Sequence, residues 1–520
     1  MSQGFQQIKQ HITNRNEFFL TKARLADPVI NKHAVSPVGE VHMVRDNSFR
    51  HGWRAEPGRT VRQLEEIVWC GGEEFILDLG THCVGYLEIS AETVGSPQDA
   101  PVHMKYIFGE ITAEVAEDFS AYQGWLSSSW LQQEDKYYDV MPEKIVLERR
   151  YCCRYIKVRI IATSRKFGVR LSNFQFISVT SAAGKNPGKI LSDPLLQKID
   201  DISVLTLKNC MQSVFEDGPK RDRRLWLGDL RLQALVNYAT FQQNDLVKRC
   251  LYLFAGVTRD DGMVSANLFM QPEVQADDTY LLDYSLFFVA TLADYFQQTN
   301  DKESARELWP TAKQQIDLAV NRLDAQDVLM DSEEWWAFID WHESLNKQAA
   351  AQGVFIYCVS KAITLAKAVA PESLHYLYAL KERLVKGVMT SLWDEQSGFF
   401  TSGKFKQVSW ASQVWLILAD VGGANFQREL LDRLHSTSPQ IRMKTPYMMH
   451  HYVEALLKCG KRDEAVDVIK SYWGAMADFG ADTFWEVFDP ADASLSPYGS
   501  PVINSYCHAW SCTPSWLLRK

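Results

Sequence analysis

The sequence predicts two domains of different class, an N-terminal antiparallel β-sandwich followed by an (α/α)6 toroid. Three observations predict it. The hydrophobic pattern changes from a strand period to a helix period near residue 185. Twelve helical stretches follow that change. The links between them alternate between a few residues and many. At 520 residues the chain exceeds one ordinary core, so two or three domains are expected.

Each element supports this in turn. The N-terminus, MSQGFQQIKQHITNRNEFF, lacks the apolar centre of a secretion signal. No uninterrupted apolar run reaches about 18 residues, so no membrane span is expected. Short β-rich runs recur at 75–79, 85–89, 102–108, 155–161, 169–171 and 174–179, and their alternation suggests the sandwich. Residues 181–189, SAAGKNPGK, are small, polar and broken by Pro and Gly, which marks a linker. The domains are therefore placed at 1–185, including an N-terminal extension, and at 190–520. Ser192 or Asp193 caps the first toroid helix, Pro194 opens it, and Leu195, Ile199, Ile202 and Leu205 form its apolar stripe. Further helices are expected at 229–241, 244–258, 278–299, 304–323, 354–370, 374–393, 409–420, 425–435, 446–459, 462–477 and 503–518. The long links, 214–228, 259–277, 324–353, 394–408, 436–445 and 478–502, should then emerge at one end of the barrel. Loops on a rigid scaffold are where sites are built.

Composition narrows the chemistry. A hydrophobic share of 46% and a charged share of 23% are those of a soluble globular chain. The net charge of -9 gives no footprint for nucleic acid or an acidic membrane surface. The 16 Trp, 20 Tyr and 26 Phe are a high aromatic load, much of it core, but Trp in loops often marks carbohydrate stacking or interfaces. The ten cysteines form no framework: Cys152 and Cys153 are adjacent, Cys507 and Cys512 miss zinc spacing, and the rest sit in apolar runs. Free thiols in a reducing compartment, hence a cytoplasmic location, are the simplest account. No phosphate-binding Gly-rich loop and no Gly-x-Ser-x-Gly elbow occurs. His450 and His451 are neighbours and point apart on a helix, so they make no metal pair. Asp277 and Asp278 could hold calcium but lack an EF-hand pattern. No cofactor and no metal are expected, and a homodimer stays open.

The long links concentrate acids and tryptophans. DGPKRDRRLWLGD packs Asp217, Asp222 and Asp229, four basic residues and Trp226 into one segment. Carboxylates beside an aromatic plate are what a site needs to hold a sugar ring and protonate a glycosidic oxygen. The bland reading is a surface turn laced with salt bridges. Other links repeat the combination, however. Asp283 and Tyr284 follow the second. EEWWAFIDWHES carries Glu333, Glu334, Trp335, Trp336, Asp340, Trp341, His342 and Glu343. ADTFWEVFDP carries Trp485, Glu486 and Asp489, and His508 and Trp510 follow. Together they point to an acidic, carbohydrate-processing site at the barrel mouth.

These segments resemble the α-L-rhamnosidases among glycoside hydrolases. DGPKRDRRLWLGD is similar to that family's signature, TFWEVF to its Trp-Glu element and NSYCHAWSCTP to its His-x-Trp segment. ILDLGTHCVGYLEI and VHMKYIFGE resemble the family's β-sandwich, in a compact two-domain form. The signature here is one residue short. Aligned from Gly228-Asp229, which keeps Trp226 and Asp229 in register, Asp222 falls where the family has its Glu general acid. Aligned from Asp217, that place would go to Arg223. The resemblance implies an inverting, exo-acting α-L-rhamnosidase acting on a small rhamnoside. Asp222 would be its acid and Glu486 its base. Trp226, Trp341 and Trp485 would pack on the sugar, and Asp217, Asp229, Asp283, Asp340 and His508 would bind its hydroxyls. Two rivals stay open. One is another (α/α)6 glycosidase or an inverting sugar phosphorylase with phosphate held by Lys220–Arg224. The other is a catalytically silent carbohydrate-binding protein.

Overall fold

The computed structural model describes residues 13–184, 191–332 and 335–520. Most of the expected linker, and Glu333 and Glu334, lie outside the described residues. Three long strands organise the sandwich. Glu74–Gly95 pairs antiparallel with Tyr151–Ala162 through its first half and with Phe167–Thr180 through its second. Glu74–Gly95 and Phe167–Thr180 were each expected as a pair of short runs, 75–79 with 85–89 and 169–171 with 174–179. Each is instead one strand interrupted by an irregularity, with Gly80 at φ 75° and Asn173 at φ 51°. A bulge kinks a strand without ending its ladder, so the break in alternation read as two strands. Val102–Gly109 pairs with Tyr151–Ala162 on one side and Gln133–Tyr138 on the other. The sandwich core gathers Trp69, Phe75, Phe174 and a Phe108–Tyr151 stack whose rings lie 3.7 Å apart.

Three helices, α1 (Glu17–Leu25), α2 (Val61–Glu65) and α3 (Thr112–Ala116), precede the toroid in sequence. Twelve follow Asp193 among the described residues: α4 (Pro194–Cys210), α5 (Leu227–Ala239), α6 (Asn244–Gly256), α7 (Leu282–Thr299), α8 (Lys302–Val320), α9 (Gln348–Val369), α10 (Leu374–Gly387), α11 (Trp410–Leu418), α12 (Gly423–Thr437), α13 (Pro446–Lys458), α14 (Arg462–Asp478) and α15 (Pro514–Leu517). The odd members from α5 to α13 form the inner wall. Each packs on the next, and the turn Ala509–Ser511 with α15 closes the ring back to α5. Burial separates the two layers. Every residue of α5 except Ala239 is buried, as is all of α11. α12, outside, buries only Gln427, Leu430, Leu431 and Leu434, one stripe at helical spacing. One inner helix, α9, is long and apolar enough to cross a membrane, with 83% of its window buried in the barrel. An inner-wall helix meets protein on all sides, so it needs no polar face.

The last helix differs from expectation. Residues 503–518 were read as one helix, but only Pro514–Leu517 is α-helical. The preceding backbone is engaged elsewhere: Ser505 N–H bonds Glu486, Tyr506 N–H bonds Glu110 and His508 N–H bonds the Phe484 carbonyl. Those amides cannot also serve a helix ladder. The N-terminal extension packs on the toroid. Thr13–Arg15 pairs with Val257–Arg259, α1 packs on α6, and Arg249 donates to the Ala23 carbonyl at 2.6 Å.

Candidate active site

The Asp217–Asp229 segment links α4 to α5, and Asp217 holds its turn together. Its carboxylate accepts the Asp222 amide at 3.2 Å and the Arg224 amide at 3.1 Å. Its own carbonyl accepts the Ala509 amide at 2.7 Å. Burial, with the Asp222 charge beside it, pushes Asp217 up to about 8 despite those donors. Gly228 explains its place in the motif: a Cβ there would sit 2.4 Å from the Tyr284 ring. The backbone thus presses on Tyr284 and delivers Asp229 in the first turn of α5.

One arginine joins the two expected catalytic carboxylates. Arg221 donates one arm to Asp222 at 3.3 Å and the other to Glu486 at 2.5 Å. Its guanidinium lies 4.0 Å from the centre of the Tyr498 ring, and the Tyr498 hydroxyl donates to Glu486. The Ser505 amide is a third donor to Glu486, at 3.1 Å. Glu486 is 3% exposed while the Asp222 side chain is 22% exposed. One carboxylate is thus fixed in the wall, and the other faces the opening.

Three polar atoms in the same region have no protein partner. Asp229 Oδ1, His508 Nδ1 and Trp226 Nε1 are buried and unbonded. The first two face each other at 3.6 Å. Burial, with Asp217 and Glu486 nearby, raises Asp229 well above the usual carboxylate range. Burial and Arg221 push His508 down to about 3. A neutral acid, a neutral imidazole and an indole N–H together can both donate to and accept from hydroxyl groups. Leaving such atoms unpaired in a dry site costs about 1–3 kcal/mol each, which a polar ligand would recover.

The remaining candidates stand behind this surface. Asp283 accepts the Phe338 and Ile339 amides at 3.0 and 2.9 Å. Asp340 accepts the amides of Trp341, Lys444 and Thr445 and the Thr445 hydroxyl, and burial holds it up at about 6. Both carboxylates pin loops to one another. Trp341 stands edge-on to Tyr498 at 5.3 Å and to Trp510 at 6.1 Å, partly exposed. Trp485 faces the other way, packed on His51, Tyr506 and the Arg50 guanidinium. It lines a separate 770 Å³ cleft with Arg59 and Arg154 of the sandwich. Asp277, weighed for calcium, accepts from Asn267 and Thr279 and lies 3.6 Å from Arg224.

Sequence reasoning passed over Arg221 as a bridge, Tyr498, Ser505 and two sandwich residues. Glu110 and Glu114 reach into the toroid from the end of Val102–Gly109 and from α3. Lys220 donates to Glu114 and lies 3.4 Å from Glu110. It also donates to the Asn504 and Val502 carbonyls, at 2.7 and 3.2 Å. Burial and the neighbouring Glu110 charge raise Glu114 to about 7, while Lys220 and His82, acting against burial, hold Glu110 at about 2. The cations Lys220, Arg221, Arg223 and Arg224 are therefore all engaged, Arg223 by the Lys220 and Arg150 carbonyls. Behind Glu110, His82 and Cys152 lie 3.0 and 3.1 Å from its Oε1. No metal cluster was expected from the spacing, yet these three form a compact group of metal-binding residue types. Asn209 sits 2.8 Å from His82 Nδ1, and Lys220 already brings positive charge to Glu110.

Comparisons with known proteins agree on both halves of the chain. Residues 37–178 match the glycosyl hydrolase family 78 alpha-rhamnosidase N-terminal domain, and residues 190–520 match the bacterial alpha-L-rhamnosidase 6 hairpin glycosidase domain. Among curated sequences, none matches. A rhamnosidase from Klebsiella oxytoca, solved with rhamnose bound, is 55% identical with a TM-score of 0.96, over 98% of this chain and 99% of its own. A family 78 rhamnosidase from Bacillus sp. GL1 shares the fold at 23% identity and a TM-score of 0.74, over 90% of this chain and 49% of its own.

Proposed function

The chain belongs to the bacterial α-L-rhamnosidases of glycoside hydrolase family 78, and from that premise we propose that Asp222 and Glu486 act as its acid and base in an inverting, exo-acting hydrolysis of terminal α-L-rhamnosides. The protein is a glycoside hydrolase that releases rhamnose. The observation that carries the residue assignment is the Arg221 bridge, with one carboxylate on each arm. Asp222, the more exposed, faces the leaving group and gives its proton to the glycosidic oxygen. Glu486, oriented by Arg221, Tyr498 and Ser505, takes a proton from a water on the opposite face of the ring. Inversion needs room for that water, with carboxyl groups about 6.5–9.5 Å apart rather than about 5–5.5 Å. Asp229, His508 and Trp226 bind the sugar hydroxyls through their unpaired atoms. Asp217, Asp283 and Asp340 set the loops that carry this surface.

The phosphorylase alternative loses its support, because the basic run it needs is committed to protein partners. Ten free thiols, nine of them buried, fit the reducing interior of a cell, which we take as its location. Proton NMR of a fresh reaction tests the mechanism: β-L-rhamnose should appear first and mutarotate to α. Initial release of the α anomer would mean retention and would remove Glu486 from the role of base.

A further inference from the structure

The sandwich sends one uncharged loop across to the active site. Residues 119–131, FSAYQGWLSSSWL, contain no charged side chain and carry four aromatic rings. Beneath them, Leu131 packs with Tyr498 and Ile503 of the toroid, and Tyr122, Leu126 and Trp130 lean on that cluster. Trp125 stands apart, 72% exposed. An exposed indole normally moves freely, but this one is tied twice. Its amide donates to the Tyr498 carbonyl at 3.1 Å and its Nε1 to the Pro497 carbonyl at 2.9 Å. With both donors used, it offers only its flat face. Its ring centre lies 5.8 Å from that of Tyr498, whose hydroxyl holds Glu486 and whose ring covers Arg221.

We propose that Trp125 is a leaving-group platform, stacking a flat, neutral ring attached to the rhamnose through the bond that is cleaved. This rests on the hydrolase reading above. The direction follows from burial. The unpaired atoms of Asp229 and His508 lie deep in the barrel, so the sugar to be released points inward. Asp222 is the more exposed of the two carboxylates, so the leaving group points outward, and Trp125 stands exposed beside the Tyr498 ring that covers Arg221. The absence of charge along 119–131 suits a neutral group, and a fixed indole face suits either an aryl ring or the apolar face of a pyranose. The platform comes from the sandwich, which gives that domain a part in choosing the substrate.

The test compares three rhamnosides in the full-length enzyme: methyl α-L-rhamnoside, 2-naphthyl α-L-rhamnoside and α-L-rhamnosyl-(1→6)-D-glucose. For each, kcat/KM of Trp125→Ala is divided by that of the unaltered enzyme. The quotient should fall about three- to tenfold further for a ring-bearing substrate than for the methyl glycoside, through KM. Trp125→Phe should recover most of it. Loss on the naphthyl compound alone names an aryl partner, and loss on the disaccharide alone names a sugar. Equal loss on all three would show that Trp125 only props Tyr498, and no loss on either ring-bearing substrate would also overturn the proposal. If the unaltered enzyme releases no rhamnose from any of them, the hydrolase reading fails instead.

Discussion

Arg221 is the residue through which the two proposed catalytic carboxylates, Asp222 and Glu486, are joined. Replacing Asp222 by Asn or Glu486 by Gln should each lower turnover by roughly 10²–10⁴, the usual worth of general acid or base catalysis. The two are told apart by leaving group. Asp222→Asn should lose less on p-nitrophenyl α-L-rhamnoside than on a rhamnosyl disaccharide, because nitrophenolate leaves without a proton, whereas Glu486→Gln should lose similar activity on both. Near-normal disaccharide turnover by Asp222→Asn would move the acid elsewhere. Arg221→Lys keeps the charge but cannot fork to two carboxylates. It should lower kcat about 10- to 100-fold, the worth of one charged hydrogen bond, with KM little changed. Part of this site was legible in the sequence. The fold brings Asp222, Asp229, Glu486 and His508 into one region, from segments whose acids and tryptophans the sequence singled out. The pattern could not tell a carboxylate facing substrate from one facing backbone. Asp283 and Asp340 look the same in sequence as Asp229, and only the fold shows that amides fill their lone pairs.

Local signals decide how well an element can be read. α13 begins at Pro446 as expected, because Thr445 caps the Met448 amide and Pro sits in the first turn. The end of the chain misled because its composition is helical while its amides serve Glu486 and Glu110. Where α9 crosses α11, Gly353 brings the helices together, and a Cβ there would meet the Trp415 backbone at 2.8 Å. Gly353→Ala should therefore destabilise by about 1–3 kcal/mol in chemical denaturation, although Ala is the better helix former. The pair Glu110 and Glu114, at a strand end and in α3, gives a pH signature. Glu114 sits at about 7 against a reference of 4.5, so the folded protein keeps a proton that the unfolded chain releases. That stabilisation is complete below 4.5 and is lost as pH rises through about 7. Glu114→Gln removes the dependence. Its melting temperature relative to the unaltered protein should rise between pH 4.5 and 7.5, and a constant difference would place the proton elsewhere.

At the scale of the molecule, sandwich and toroid meet at one wall of the candidate site, since Lys220 of the loop is held by Glu110 and Glu114. The preference of the assembled site should be for p-nitrophenyl α-L-rhamnoside over the α-glucoside, β-glucoside and α-mannoside. Preference for another sugar in that panel would leave the fold intact and remove the substrate assignment. The architecture was legible because a change of hydrophobic period and alternating link lengths survive small errors in boundaries. The pairing of Glu114 with Lys220, separated by 106 positions, leaves no such trace. The same threading shapes synthesis. Thr13–Arg15 finds its strand partner only at Val257–Arg259. At about 5–20 residues per second, the leading segment emerges from the ribosome well over ten seconds before that partner exists. The sandwich can fold in the interval, leaving the first helix adrift with Leu20 and Ala23 uncovered. Nascent chains halted short of α6 should carry a protease-sensitive leader, and those halted beyond it a protected one.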